Sequence, residues 1–222
     1  MGYVRDSLVN VTATNTQDLD DFLIDRLKSL PCVADVGLIQ GCPAGSTRTS
    51  WGMELNGNRY AVILFDGDTT AMRLLGIKVL SQNSDPLPDS FYFTRRTATA
   101  LGLDMDATLF EYDLGAIDVC GIIDDLWMGN ANSTDNDLLL WAVQPSRPEQ
   151  LGNMRSLVVK ANGNPDDAVR AISEFYAAEK PELKVNIDTY ENIYRQTYTA
   201  ENRSLKLTGI FALLTIVLTV MA

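Results

Sequence analysis

Near its N-terminus the chain has the hydrophobic spacing of a strand, a helix and a second strand. Residues 8–13 (LVNVTA) predict a short strand. Residues 14–17 match a capping box, and the segment after them predicts a helix that ends at Pro31. Residues 33–39 predict a second strand, so the first forty residues hold one strand–helix–strand unit. The apolar face of the helix is formed by Leu19, Phe22, Leu23, Leu27 and Leu30.

The same order of elements recurs near the other end of the chain. The run SLVVK predicts a strand, and Asn164 followed by Pro165 predicts the start of a helix. Apolar and polar residues then alternate over 183–188, which is typical of a half-buried strand. The prolines that close the two helices, Pro31 and Pro181, are 150 positions apart and indicate a weak internal duplication. Two such units can share one sheet with their helices on one face.

The middle of the chain has a different, mostly β pattern. Two alternating segments flank Asn56-Gly57-Asn58, which is a strong hairpin signal. The chain is therefore predicted to be α+β, with two βαβ units and a β-rich subdomain inserted between them. Further predicted elements are helices at 71–75 and 90–101, extended chain at 110–123 and a strand at 138–143. The expected segments are 1–40 for the first unit, 41–150 for the insertion, 151–189 for the second unit, and 190–222 for a connecting helix and the start of a membrane helix.

The C-terminal end carries a long apolar run. Residues 207–222 contain no charge, and at 1.5 Å per residue they span roughly 24 Å, less than the ~30 Å hydrocarbon core of a bilayer. We expect this run to be the first part of a transmembrane helix, with another membrane segment upstream of the chain. The alternative is a buried core helix, but no face of the run is polar. Residues 190–206 contain neither glycine nor proline and predict a helix that continues into the run.

Composition excludes several classes of function. The chain has 222 residues, of which 46% are hydrophobic and 21% charged, as in ordinary globular proteins. Its net charge of −11 disfavours nucleic acid as a partner. It contains no histidine, which excludes Ser-His-Asp catalysis and His-ligated zinc. The three cysteines, Cys32, Cys42 and Cys120, form no CxxC pair; we interpret them as buried apolar residues, with a Cys32–Cys42 disulfide as the alternative.

Motifs for chemistry are weak. Neither a P-loop nor a GxGxxG motif occurs. Four aspartate pairs are present, but their spacing fails the EF-hand pattern, so a solvated acidic surface is the favoured interpretation and a glycosidase-like pair the alternative. Three glycosylation sequons begin at Asn10, Asn132 and Asn202. The aspartate pairs are Asp66/Asp68, Asp104/Asp106, Asp124/Asp125 and Asp135/Asp137.

Five segments, in this order and spacing, resemble the extracytoplasmic core domain of FtsX-like and MacB-like permeases of bacterial ABC transporters, in the version found in Bacteroides-like bacteria. The segments are AMRLLGIKVL (71–80), FYFTRRTATALGLD (91–104), VCGIIDDLW (119–127), the strand–helix–strand stretch 156–190, and the lead-in to a membrane helix at 191–220. Two departures from the family pattern occur, at Arg95-Arg96 and at Asp125-Leu126-Trp127.

The resemblance implies a porter-like subdomain with a β-rich insertion, followed by the start of a transmembrane helix. It implies a non-enzymatic domain without catalytic, cofactor-binding or metal-binding residues. The implied partners are an ABC ATPase subunit, a second permease copy, the membrane, and a periplasmic adaptor or an exported substrate. The implied location is the inner membrane, with this domain in the periplasm, where it transmits ATP-driven conformational change.

Two other classes of function remain open from the residues alone. The chain could be a membrane-tethered extracytoplasmic sensor or ligand-binding module, or a membrane-anchored acidic hydrolase. A neighbouring ATPase gene would favour the transporter, and a downstream histidine kinase would favour the sensor.

Overall fold

Eleven strands in the described part of the chain pair into one mixed sheet, and helices pack on both of its faces. The computed structural model describes residues 5–13, 21–44, 49–126, 138–143, 155–196 and 199. The predicted α+β class is confirmed. The strands are β1 (Leu8–Ala13), β2 (Val33–Gln40), β3 (Thr49–Leu55), β4 (Asn58–Gly67), β5 (Val79–Gln82), β6 (Phe91–Thr94), β7 (Leu109–Tyr112), β8 (Gly115–Ile123), β9 (Leu138–Val143), β10 (Arg155–Ala161) and β11 (Val185–Thr189). The helices are α1 (Asp21–Lys28), α2 (Thr69–Leu74), α3 (Arg95–Leu101) and α4 (Pro165–Glu179), and residues 190–196 are helical as well.

The two predicted strand–helix–strand units interleave in one half of the sheet. The strand order there is β11-β1-β10-β2, so strands of the two units alternate and every neighbouring pair is antiparallel. This is the order of a split βαβ, or ferredoxin-like, arrangement. Helices α1 and α4 bury their apolar faces in one shared core, through Leu23 and Leu27 on one helix and Ala168, Ile172 and Tyr176 on the other. The prediction that the units share a sheet with their helices on one face is confirmed.

The rest of the sheet continues from β2 through β4, β9, β6, β8 and β5, with β3 paired to β4 and β7 paired to β8. The ladder between the two halves consists of one residue pair, Ile39 with Gly67. The Asp68 amide adds a hydrogen bond of 2.9 Å to the carbonyl of Leu38. Helix α2 lies on the face opposite α1 and α4, because it packs over Gly37, which alternates with the α1-facing side chains of β2.

The hairpin predicted at Asn56-Gly57 is confirmed. Asn56 and Gly57 have φ of 52° and 73°, the positive values that a two-residue turn between twisted strands requires. The short helix that ends at Gly76, the strands at both chain ends and the Asn164 cap of α4 are confirmed as well.

The helix predicted over residues 90–101 is wrong in its first half. Residues 91–94 form β6, which pairs with β8 and β9, and the helix begins only at Arg95, with Thr94 as its N-cap. Tyr92 and Phe93 are buried on opposite faces of the sheet. Aromatic side chains on both faces fit a central strand, whereas one helical stripe could bury only one of them.

Several predictions fall outside the described residues. They are the capping box at 14–17, the pair Asp135/Asp137, the sequons at Asn132 and Asn202, and the apolar run 207–222. The helix predicted over 190–206 is present over 190–196. Among the described residues, no helix is both long enough and apolar enough to span a membrane. The boundaries 1–40, 41–150, 151–189 and 190–222 stay a prediction.

Candidate functional site

The chain enters and leaves the fold at the same place. β1 begins at Leu8, three residues after Arg5, and its first residues pair antiparallel with the last residues of β11, Val9 opposite Thr189. Residues 190–196 then continue as a helix without an intervening loop. The N-terminal entry and the C-terminal exit are therefore neighbours across one strand pair.

The exit helix is fixed to the sheet from its first residue. Tyr190 has 0% exposure and belongs to the same buried cluster as Leu8 of β1 and Val158 of β10. Ile193 and Tyr194, at helical spacing, pack on that cluster as partly buried residues. The first two turns of the helix thus have a buried face against the strands where the chain enters.

Side chains of β11 also hold the helix start. The Thr189 hydroxyl accepts a hydrogen bond of 3.2 Å from the Asn192 amide, which is the geometry of an N-cap. The Asp188 carboxylate accepts from the side-chain amides of Asn192 at 3.0 Å and Gln196 at 3.2 Å. The direction of the helix is therefore fixed by the Thr189 cap and by the Asp188 carboxylate, which accepts a hydrogen bond from Gln196 in the second turn.

Arg5 connects the entry to the exit directly. Its guanidinium lies 3.9 Å from the centroid of the Tyr194 ring, and its Nη1 lies 3.6 Å from Oε2 of Glu191. Glu191 also accepts a hydrogen bond of 3.0 Å from Nε of Arg195. We call Arg5, Glu191 and Tyr194 the terminal clasp. A cation–π contact at a partly exposed site contributes about 0.5–1 kcal/mol, so the clasp orients the helix more than it stabilises the fold.

A polar ladder lies on the strands beside the exit helix. Nδ2 of Asn10 donates to the Thr12 hydroxyl at 2.8 Å, and Thr12 shares a second bond of 2.8 Å with the Ser156 hydroxyl. Asn10 is 3% exposed, so in this fold the first predicted glycosylation acceptor is not accessible to modification. Spacing along the sequence did not predict this ladder, because its members come from β1 and β10.

The aspartate pairs do not form one constellation. Asp68 is the N-cap of α2 and accepts from the Ala71 amide at 2.6 Å. Asp66 lies half-buried on β4, and burial raises its pKa to about 6. Asp104 and Asp106 are exposed. Within the described residues, no group of three His, Cys, Asp or Glu side chains could hold a metal ion.

The third aspartate pair of the described residues, Asp124/Asp125, belongs to an ion cluster with Arg95. Arg95 donates through Nη2 to Asp124, and its Nε lies 3.8 Å from Oδ2 of Asp125. Asp125 also accepts from the Arg96 backbone amide at 2.8 Å. The two departures from the family pattern noted in the sequence therefore contact each other, and they join the start of α3 to the end of β8.

Two of the three cysteines, Cys42 and Cys120, belong to the same buried cluster as Tyr190 at the start of the exit helix. All three lie in the described part of the chain, and no disulfide joins any two of them. Cys42 and Cys120 are buried, and burial raises the pKa of the Cys120 thiol. The interpretation as buried apolar residues holds for these two, and Cys32 is partly exposed.

Comparison with known proteins identifies the fold class. No protein-family model matches the sequence, and no curated protein does. Among solved structures, the chain is similar to the periplasmic region of MacB from Actinobacillus actinomycetemcomitans, with a TM-score of 0.61, 12% identity, and coverage of 88% of this chain and 94% of that one. It is also similar to a domain of a putative permease from Porphyromonas gingivalis, with a TM-score of 0.56, 14% identity and coverage of 84% and 92%.

A third similar structure is the extracellular domain of the noncanonic ABC-type transporter YknZ from Gram-positive bacteria, with a TM-score of 0.54, 10% identity and coverage of 81% and 99%. The chain therefore has the fold of the extracytoplasmic domains of MacB-like ABC permeases, and the resemblance inferred from the five sequence segments is confirmed at the level of the fold. The likeness to the Bacteroides-type version stays a prediction.

Proposed function

We propose that this chain is the extracytoplasmic domain of an ABC transporter permease and that it transmits ATP-driven conformational change across the membrane. The observation that carries the proposal is the shared position of entry and exit, with the exit continuing as a helix. A domain inserted between two membrane helices must return its chain to the point of departure, and the pairing of β1 with β11 does this.

The exit helix has the properties of a mechanical connection. A helix packed along one face and capped at its start moves with the sheet, whereas a flexible linker would absorb a displacement. Tyr190 supplies that packing in the core, Thr189 caps the helix, and Asp188 accepts hydrogen bonds from Asn192 and Gln196. In this proposal, ATP-driven motion within the membrane reaches the domain through the apolar run at 207–222.

The proposed partners follow from the same role. They are an ABC ATPase subunit, a second copy of the permease, and a periplasmic adaptor or an exported substrate, with the permease in the inner membrane and this domain in the periplasm. We propose no catalysis by the domain itself. Of the described aspartates that were candidates for chemistry, Asp68 acts as a helix cap, and Asp124 and Asp125 are ion-pair partners of Arg95.

The test is a distance measurement in the full permease assembled with its ATPase. A spin label is placed at Glu174→Cys, on the exposed side of α4, in a background in which Cys32 is serine. Distances between the labels of two copies are measured with ATP and with ADP. Inserting Gly-Gly between Asn202 and Arg203 should preserve ATP hydrolysis but abolish the nucleotide-dependent change in distance.

The matched control is the same Gly-Gly insertion between Asn132 and Ser133, in a polar stretch of the sequence. This variant should keep the nucleotide-dependent change. If the Asn202 insertion also keeps it, the exit helix is only a tether, and the sensor alternative gains. If the native protein shows no change at all between ATP and ADP, transmission by this domain is rejected.

A further inference from the structure

A cleft of about 540 Å³ opens beside α2. Its walls come from α2, the turn that follows it, β5 and β6. The volume falls within the range of about 300–1,000 Å³ that is usual for ligand sites. Four of its nine lining residues have aliphatic or thioether side chains, at Met72, Ile77, Val79 and Pro86, and the Tyr92 ring adds a further apolar surface.

The polar part of the cleft is fixed in advance. The Tyr92 hydroxyl donates a hydrogen bond of 2.9 Å to Oε1 of Gln82, and Nε2 of Gln82 donates at 3.0 Å to the Cys120 carbonyl. Tyr92 is 2% exposed, so its ring forms a rigid wall rather than a movable cover. Polar groups that are already oriented by the protein favour one binding mode, because little ordering entropy remains to be lost.

Charge at the cleft differs from charge on the rest of the chain. The chain carries a net charge of −11, yet of the described residues that line the cleft only Arg73 is charged. Arg73 binds Asp35 through Nη2, and its side chain is 65% exposed. A guanidinium has five N–H donors, so Arg73 can hold a second anion without releasing Asp35.

Apolar side chains at the opening remain in contact with water. Val79 lines the cleft and is 37% exposed, and Leu87, which follows the lining residue Pro86, is 64% exposed. These are two of the large apolar side chains that the described part of the chain leaves exposed. An apolar rim that continues into an apolar cleft is typical of a binding surface.

We propose that this cleft binds a linear amphipathic anion, a medium-chain fatty carboxylate, with the carboxylate on Arg73 and the alkyl chain along Met72, Ile77 and Val79. A methylene fills nearly the volume of a liquid water molecule, ~30 Å³, so the cleft admits a chain of roughly 12 carbons with its head group. The Asp35 carboxylate beside the cleft is already bound to Arg73, so it is a poor site for a cation. The inference does not depend on the transporter role, because it rests on the cleft alone.

The test uses photolabelling of the full chain in phosphatidylcholine nanodiscs. The probe is dodecanoate with a diazirine at the end of its alkyl chain, and labelled positions are mapped by mass spectrometry. We expect saturable labelling within residues 69–92. Unlabelled dodecanoate should displace it, and dodecyltrimethylammonium should not. Labelling of the apolar run 207–222 by probe dissolved in the lipid would not saturate and serves as an internal reference.

Two variants separate the head-group contact from the chain contact. Arg73→Gln should raise the half-saturating probe concentration at least ~10-fold, because a charge-assisted hydrogen bond is lost. Val79→Trp should fill the cleft and abolish labelling of 69–92. Arg170→Gln removes another exposed arginine of an ion pair and is the control. It should change neither the half-saturating probe concentration nor the labelling of residues 69–92. Near-UV circular dichroism verifies that each variant is folded. Labelling that does not saturate, that the cation displaces equally, or that persists in both folded cleft variants overturns the proposal.

Discussion

The guanidinium of Arg5 lies over the ring of Tyr194, 3.9 Å from its centroid, so a residue that precedes the first strand contacts one in the helix that follows the last. The two residues are brought together by the pairing of β1 with β11. Glu191 lies on the same side of the helix, one turn earlier. Arg5 therefore contacts both the Glu191 carboxylate and the Tyr194 ring. The contact makes the entry segment and the exit helix one structural unit.

Replacing Arg5 by alanine should loosen this unit without unfolding the domain. We expect the free energy of unfolding to fall by about 1 kcal/mol, because the cation–π contact and a partly exposed ion pair are each worth that much or less. Hydrogen exchange of the amides in 190–196 should become faster, while exchange in β9 stays unchanged. Arg170→Ala, which removes an exposed ion pair on α4, is the control and should leave exchange in 190–196 as it was. Equal exchange in both variants would show that the clasp does not orient the helix.

The cap at the start of the exit helix gives a second prediction. Thr189→Ala removes the hydroxyl that accepts from the Asn192 amide and should cost about 1 kcal/mol, whereas Thr189→Ser keeps an acceptor and should cost less. Chemical denaturation measures both costs, and hydrogen exchange of residues 191–196 locates them. Serine and alanine variants of equal stability would contradict the capping role.

A close approach between β2 and α2 gives a third prediction. A Cβ built on Gly37 would lie 2.4 Å from the Ala71 amide nitrogen and 2.5 Å from its Cα, and backbone atoms cannot move aside as a side chain can. Gly37→Ala should therefore destabilise the fold by about 1–3 kcal/mol or more through overpacking. At Gly52 the nearest atom is the mobile end of Arg59, at 3.5 Å, so Gly52→Ala is the matched control and should be tolerated. Thermal denaturation measures the stability of both variants. Similar losses of stability in Gly37→Ala and Gly52→Ala would contradict overpacking at Gly37.

Local signals explain what the sequence predicted correctly. The Asn56-Gly57 turn, the Asn164 cap with its proline, and the alternation in β11 each depend on neighbouring residues only. The resemblance in five segments predicted the fold class for the same reason, since their order along the chain reflects the order of elements. The predicted helix begins at Ser90, but residues 91–94 pair with two strands, and this pairing between distant segments moves the start of the helix to Arg95.

The candidate site could not be predicted in the same way. Arg5 and Tyr194 are far apart in sequence, and no periodicity relates them. The cleft beside α2 likewise depends on how β5 and β6 lie against the helix, and Gln82 and Tyr92 are ordinary strand residues in the sequence. Both the terminal clasp and the cleft are formed by contacts between segments that are distant in sequence. Such contacts cannot be inferred from the spacing of residues in a single sequence.

Asp66 gives the last prediction, which concerns pH. Burial raises the pKa of its carboxyl from 3.8 to about 6, so between these values the folded chain holds a proton that the unfolded chain has released. The contribution of Asp66 to stability is therefore greatest below pH 3.8, falls as pH rises towards 6, and stays at its lowest value above that. Asp66→Asn should raise the free energy of unfolding at pH 7.5 by about 2 kcal/mol, because each unit of pKa is worth about 1.4 kcal/mol and the side chain keeps some contact with water. The same substitution should have little effect near pH 3.5, which makes low pH the internal control. Denaturant titrations of the native chain and the variant at both pH values measure the difference, and a benefit that is independent of pH would mean that shape rather than ionisation is responsible.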